Sequence, residues 1–246
     1  SNLCRFIPSV PGYLYGVKDN DIYVNLFAAN TSVIQVRGKA VRLEQTTRYP
    51  WDGDIEIRVV KSAAKDANLM VRIPGWVRNQ VLPSDLYSYS DQEQPAYSVT
   101  LNGKQIQADP EAHKGYLPIT GIRKGDVVRI HFDMPVRTVV ANRNVGEDKG
   151  RVAVERGPLV YCAESADNQG ELMLRTALAK KPSFSLVDDY TIENTEAEGA
   201  PAFSVKAITT QAQVLGDDEN GMLLKSHKLT LIPYYAWNHR GAGQMN

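Results

Sequence analysis

Gly150-Arg151-Val152-Ala153-Val154-Glu155-Arg156-Gly157-Pro158-Leu159-Val160-Tyr161-Cys162-Ala163-Glu164 alternates apolar and polar side chains, then breaks at Gly157-Pro158. Alternation at period two sends successive side chains to opposite faces of a strand. Proline cannot donate to a central ladder and glycine marks a bend. The stretch therefore reads as two short strands joined by a bulge or sharp corner. It holds no nucleophile–base pair, so its first meaning is architectural.

Upstream the same signal repeats. Ile22–Ala28, Val33–Val36, Ala40–Leu43, Asp54–Val60, Asn68–Ile73, Tyr97–Leu101, Gly115–Ile119 and Asp126–Asp133 all read as strands. Asn102-Gly103 sits between two alternating runs, the strongest short-range hairpin signal. Short, regularly spaced strands separated by turn residues predict a β-sandwich. Met134-Pro135-Val136 reads as a linker, and Arg137–Asn142 opens a second block. Downstream, Gly170–Lys181 is the best helical candidate and Val187–Ala202 reads as an acidic loop. Strands follow at Phe203–Ala207 and Ala212–Leu215, a solvated turn at Asp217–Gly221, and a last strand at Lys228–Ala236. At the other end Leu3, Phe6 and Ile7 share one helical face until Pro8 and Pro11 stop it. The predicted fold is all-β: two antiparallel β-sandwich domains in tandem, with a short N-terminal helical stub.

The 246 residues carry 28 basic and 28 acidic side chains, so nothing electrostatic points to nucleic acid or an anionic membrane as partner. No apolar run is long enough to span a bilayer, and no basic segment followed by an apolar one opens the chain. Cys4 and Cys162 lack metal-ligand spacing, and His113, His131, His227 and His239 are scattered. No catalytic or metal-ligating residue is therefore assigned within the chain. Adjacent acids at Glu147-Asp148, Asp188-Asp189 and Asp217-Asp218 read as solvated loop charges rather than glycosidase pairs. Asn30-Thr31-Ser32 matches a glycosylation acceptor, a pattern common by chance.

Three clusters carry recognition chemistry. Thr47-Arg48-Tyr49-Pro50-Trp51-Asp52-Gly53-Asp54 offers rings for a sugar face and Asp52 for its hydroxyls, or else a proline bend with Trp51 plugging the sandwich end. Trp76, in Ile73-Pro74-Gly75-Trp76, reads as packed beneath a turn or open to a sugar. Trp237, Asn238, His239 and Arg240 either line a cleft or form a solvated terminal loop. The carbohydrate-binding candidates are Tyr49, Trp51, Asp52, Trp76, Trp237, His239 and Arg240.

The ordered series Tyr49-Pro50-Trp51-Asp52-Gly53, Ile73-Pro74-Gly75-Trp76, Leu101-Asn102-Gly103, Gly115-Tyr116, Gly125-Asp126, Gly150–Glu164 and Ala236-Trp237-Asn238-His239-Arg240 with Met245 resembles the C-terminal part of glycoside hydrolase family 127, the β-L-arabinofuranosidase-like enzymes. The resemblance implies an N-terminal α/α-barrel that carries catalysis, followed by two β-sandwiches. It implies a cysteine thiolate nucleophile and a zinc ion held by a glutamate and three cysteines in that barrel. Two of those cysteines are adjacent and precede a stretch like Ser1-Asn2-Leu3, so neither role falls on Cys4 or Cys162, and zinc is expected in the barrel alone. Residues 1–14 become the barrel's remnant, 15–134 with 228–246 the first sandwich, and 135–227 the second, because the family's chain end returns to the first. The implied source is a glycan-degrading bacterium, with the protein periplasmic or cytoplasmic.

Two functions follow as expectations. One is an accessory region that braces its own catalytic barrel, with an apolar patch exposed near the N-terminus. The alternative is a carbohydrate-binding module with coplanar exposed aromatics. Homodimerisation through the second sandwich is compatible with the bracing role.

Overall fold

A computed structural model describes residues 2–169, 173–193, 201–218, 221–240 and 243–245, with side chains at 216–218 and 221–224 left aside. The chain forms two units, Ser1–Pro135 and Val136–Asn246, which meet where Met134-Pro135-Val136 predicted a linker. Among the described residues no helix is long and apolar enough to cross a membrane.

The first unit opens with a five-residue helix, Asn2–Phe6, and a 3-10 segment, Ile7–Tyr13. Its strands are β1 (Tyr15–Lys18), β2 (Asp21–Val24), β3 (Asn30–Val36), β4 (Lys39–Thr47), β5 (Asp54–Ser62), β6 (Asn68–Arg72), β7 (Tyr87–Tyr89), β8 (Tyr97–Leu101), β9 (Lys104–Gln105), β10 (Tyr116–Ile119) and β11 (Val127–Phe132). One sheet runs β1-β2-β6-β10, the other β3-β4-β5-β11-β8-β9. Alternation decides which faces meet. In β2, Ile22 and Val24 are buried while Asp21 and Tyr23 are only half-buried, and β4, β5 and β11 repeat the pattern. Ile22, Val24, Leu69, Val71 and Leu117 from one sheet and Val41, Leu43, Ile57, Val59 and Val128 from the other supply fully or almost fully buried side chains. β2 and β6 pair in parallel, with Ile22 opposite Leu69. A parallel pair needs a crossover connection, and the β3-β4-β5 meander of the other sheet supplies it. The Asn102-Gly103 hairpin is present, with both residues at positive φ (51° and 81°), the backbone that a two-residue primed turn requires.

The second unit contains β12 (Val136–Ala141), β13 (Val152–Arg156), β14 (Leu159–Cys162), β15 (Thr176–Leu178), β16 (Ser185–Ile192), β17 (Phe203–Asp218) and β18 (Gly221–Pro233). The signature stretch is a tight hairpin: Arg156 pairs with Leu159, and Gly157 turns at φ 57°. The ladder runs β15-β17-β18-β14-β13-β12, and β16 also pairs with β17. Its central strands are buried on both faces. Tyr161, Ala163, Ile208, Leu229 and Leu231 join one apolar cluster, and Cys162, Val205, Ala207 and Ile232 the other.

Four readings of the second half change. The final strand does not return to the first unit: β18 pairs with β17 from Ile208–Leu231 to Asp218–Gly221 and with β14 at Tyr161–Pro233 and Cys162–Ile232, so residues 228–246 complete the second unit. A hairpin to its sequence neighbour closes a far smaller loop than a return to a distant sheet. The helix expected over Gly170–Lys181 is a 3-10 turn at Met173–Arg175 followed by β15, with 170–172 outside the described residues. The first part of the expected loop at Val187–Ala202 is strand β16, and residues 194–200 lie outside the description. The strands expected separately at Phe203 and Ala212 are one sixteen-residue strand, and residues 219–220 of the expected Asp217–Gly221 turn lie outside the description.

Candidate functional site

The loop after β4 turns through a cis Tyr49–Pro50 bond. The Trp76 indole N–H donates to the Tyr49 hydroxyl at 3.2 Å. Tyr49 meets Phe27 edge-on with ring centroids 5.5 Å apart, and Trp76 meets Phe132 edge-on at 5.8 Å. Phe132 is nearly fully buried. Gly53 permits this packing: a Cβ there would stand 1.9 Å from the Phe132 carbonyl oxygen, well inside van der Waals contact. Trp76 is 8% exposed, so its face is packed rather than offered to a sugar, and Tyr49 is half-buried with its hydroxyl engaged. Burial raises the Tyr49 phenol above its ordinary range. Trp51 stays outside, 44% exposed, beside an Arg48–Asp52 ion pair at 3.7 Å.

The second site forms where β14 ends. Arg240 directs one guanidinium nitrogen to both Asp167 and Glu164 and a second to Asp167, with Nη2 to Asp167 Oδ2 at 2.5 Å. The Arg240, Glu164 and Asp167 side chains are only 12%, 9% and 0% exposed. Each carboxylate also accepts from a second donor. Asn238 N–H donates to Glu164 Oε1 at 2.9 Å, and the Tyr190 hydroxyl donates to Asp167 Oδ1 at 2.7 Å. Asn168, 1% exposed, sends Nδ2 to the Glu164 and Thr230 carbonyls at 2.7 and 3.0 Å and accepts from Thr230 N–H at 2.8 Å. These bonds tie the chain end to β14 and β18. His239 sets its ring edge-on against Phe203, with centroids 5.5 Å apart.

Of the candidates read from sequence, Tyr49 and Trp76 come together in one packed corner and Trp51 with Asp52 flank it. Arg240 and His239 turn inward while Trp237 stays 38% exposed. Glu164, Asp167 and Tyr190 were missed. The one signal for Glu164 was its place directly after the apolar Tyr161-Cys162-Ala163, where a charged side chain needs a partner.

Both carboxylates serve one guanidinium. Burial, then Glu164 and Asp167, push the Cys162 thiol up to about 12. A thiol that keeps its proton is a poor nucleophile. Cys4 is exposed on the first helix. Among the described residues no three His, Cys, Asp or Glu side chains converge as a metal site. The residues here do not fit the zinc–thiolate centre that the resemblance implies for the barrel.

Comparison with known proteins agrees with the division of the chain. Residues 21–134 match the family model for the β-L-arabinofuranosidase GH127 middle domain, and residues 136–246 that for the glycoside hydrolase family 127 C-terminal domain. A non-reducing end β-L-arabinofuranosidase of Bifidobacterium longum subsp. longum is 31% identical over all of this chain, which spans 35% of that protein. A solved GH127 β-arabinofuranosidase superposes with a TM-score of 0.89 at 46% identity, over 100% of this chain and 37% of its own. A GH127 β-L-arabinofuranosidase from Geobacillus stearothermophilus T6 gives 0.79 at 28% identity, over 99% and 36%. The chain thus spans little more than a third of these relatives. With both of its units matched in order, and with the boundary between the matches falling at Pro135, the chain belongs to glycoside hydrolase family 127, in its middle and C-terminal domains.

Proposed function

We propose that this chain is the non-catalytic accessory region of a glycoside hydrolase acting on arabinofuranosides of plant-type glycans, and that it braces the catalytic barrel. The observation that carries this reading is the N-terminal segment. Leu3, Phe6, Ile7 and Tyr13 are 68%, 58%, 63% and 59% exposed on a helix and 3-10 segment with no buried residue. Contiguous exposed apolar side chains mark a surface that another body covers. The relatives named as arabinofuranosidases are almost three times as long as this chain, which leaves room for such a body. The engaged carboxylates and protonated thiol of the second unit support a structural role over a hydrolytic one.

The test is association in trans. A family α/α-barrel, produced separately with its zinc, should bind this chain in sedimentation or calorimetry. Leu3→Ser with Phe6→Ser and Ile7→Ser should weaken that binding by about tenfold or more, as loss of apolar anchors does. Absence of binding, or binding indifferent to the triple substitution, would remove the bracing role.

A further inference from the structure

The segment from Pro233 to Arg240 alternates anchors with presented rings. Ala236 is fully buried, the Asn238 N–H is held by Glu164, and the Arg240 guanidinium lies between Glu164 and Asp167. Between these anchors Tyr234, Tyr235 and Trp237 are 51%, 49% and 38% exposed. The Trp237 N–H donates to the Tyr234 carbonyl at 3.2 Å, closing a 3-10 turn. Their rings are stacked, 19° from parallel with centroids at 5.9 Å. Aromatic side chains held this firmly lose little freedom when a ligand arrives.

We infer that Tyr234 and Trp237 form a stacking platform for a neutral glycan carrying β-L-arabinofuranosyl units. The platform itself follows from the geometry, whereas the choice of sugar rests on the proposed arabinofuranoside function. The chemistry of the exposed surface selects this class. Every large side chain that the turn presents is an amphipathic ring, apolar on its face with a phenol or indole donor at its rim. No aliphatic side chain is exposed between Pro233 and Arg240, and the one cation of the segment is turned inward on two carboxylates. A sugar matches that pattern, with C–H bonds for the ring faces and hydroxyls for the rims. Of the seven carbohydrate candidates read from sequence, this keeps Trp237 and adds Tyr234.

The 246-residue chain is titrated with methyl β-L-arabinofuranoside and a β-L-arabinofuranosyl disaccharide, with methyl glucopyranoside as control. Binding is followed by tryptophan fluorescence and amide chemical shifts. A saturable response to the arabinosides is expected. It should weaken at least about tenfold in Trp237→Ala and in Tyr234→Ala, the effect of losing an aromatic anchor. Trp237→Phe, which keeps a stacking face, and Trp51→Ala should stay within about twofold of the parent. Melting curves certify that each variant is folded. No saturable response to either arabinoside overturns the inference, as does unchanged binding in folded Trp237→Ala, or binding lost only in Trp51→Ala. Concentration-dependent self-association that Trp237→Ala abolishes, without any sugar response, would assign the rings to a protein contact and overturn it equally. None of these readouts involves Leu3, Phe6 or Ile7, so they stand apart from the bracing test.

Discussion

Two segments of similar composition resolve in opposite ways. Around Tyr49 the rings of Tyr49 and Trp76 go inward onto Phe27 and Phe132, while Arg48 and Asp52 pair at the surface. Around Trp237 the charge goes inward and the rings stay outside: Arg240 closes on Glu164 and Asp167, while Tyr234, Tyr235 and Trp237 face solvent. The long-range partner decides the outcome. In the first unit, β11 delivers Phe132 to the corner, and Gly53 lets the backbone come close enough to use it. In the second, a carboxylate follows the buried end of β14, and Arg240 together with the Asn238 N–H turns in to meet it. A cluster of aromatics and charges on a loop thus does not say which of its members are for packing and which for contact.

The comparison breaks most visibly at Arg240. Arg240→Ala leaves two buried carboxylates without their cation and should destabilise the second unit by about 3–5 kcal/mol in urea unfolding, whereas Arg48→Ala should cost less than about 1 kcal/mol. Similar losses from the two arginines would erase the distinction between inward and outward charge. Trp76→Ala should cost about 3–5 kcal/mol in the first unit through the lost burial and the cavity left behind. Trp237→Ala, outside the core, should stay within about 1 kcal/mol.

Alkali offers a subtler contrast. Cys162, Tyr161 and Tyr190, all in the second unit, are pushed up to about 12 from ordinary values of 9.0 for the thiol and 10.0 for the phenols, in each case chiefly by burial. A folded state that keeps protons which the unfolded state releases loses stability as pH rises between the two values. The second unit should therefore weaken progressively from about pH 9 towards pH 12, as its melting temperature would report. In the native chain at pH 8, a thiol reagent should modify Cys4 and spare Cys162 until urea is added.

The smallest expected effect belongs to His131, whose ring bridges Asp54 at 2.6 Å and Asp133 at 3.1 Å. Its pKa is raised, first by the Asp54 hydrogen bond. The sign is opposite to the alkaline case: the stabilisation is complete below the ordinary histidine value of 6.5 and fades as pH climbs through the raised one. The side chain is 52% exposed. His131→Ala should therefore cost only a few tenths of a kcal/mol at pH 5, in the range of screened surface pairs, and less at pH 8.

The first unit was legible in the sequence because its strands are short, alternate cleanly and are separated by turn residues such as Asn102-Gly103. The second was less so. Asp188-Asp189 reads as solvated loop charge, yet β16 carries it with Lys206 facing Asp188 at 2.5 Å. Thr209-Thr210-Gln211 looks like an interruption, yet it runs through the middle of β17, where Thr210 donates to the Ser183 carbonyl at 2.8 Å. β16 leaves most of its side chains exposed and so offers no apolar run, while in β17 the polar Thr210 fills a buried position and breaks the apolar alternation. The ion cluster was hidden for another reason: Glu164 and Asp167 lie 76 and 73 residues before Arg240, with no periodicity linking them. Trp76 looked as available as Trp237, because burial by Phe132 is a property of the assembled unit and not of either loop.

The most direct test of the account is hydrolysis of an aryl β-L-arabinofuranoside by the purified 246-residue chain supplied with zinc. The account expects no release of the aryl group above the buffer rate. Turnover that disappears on Cys162→Ser or Cys4→Ser would place a working thiolate inside this chain and contradict it.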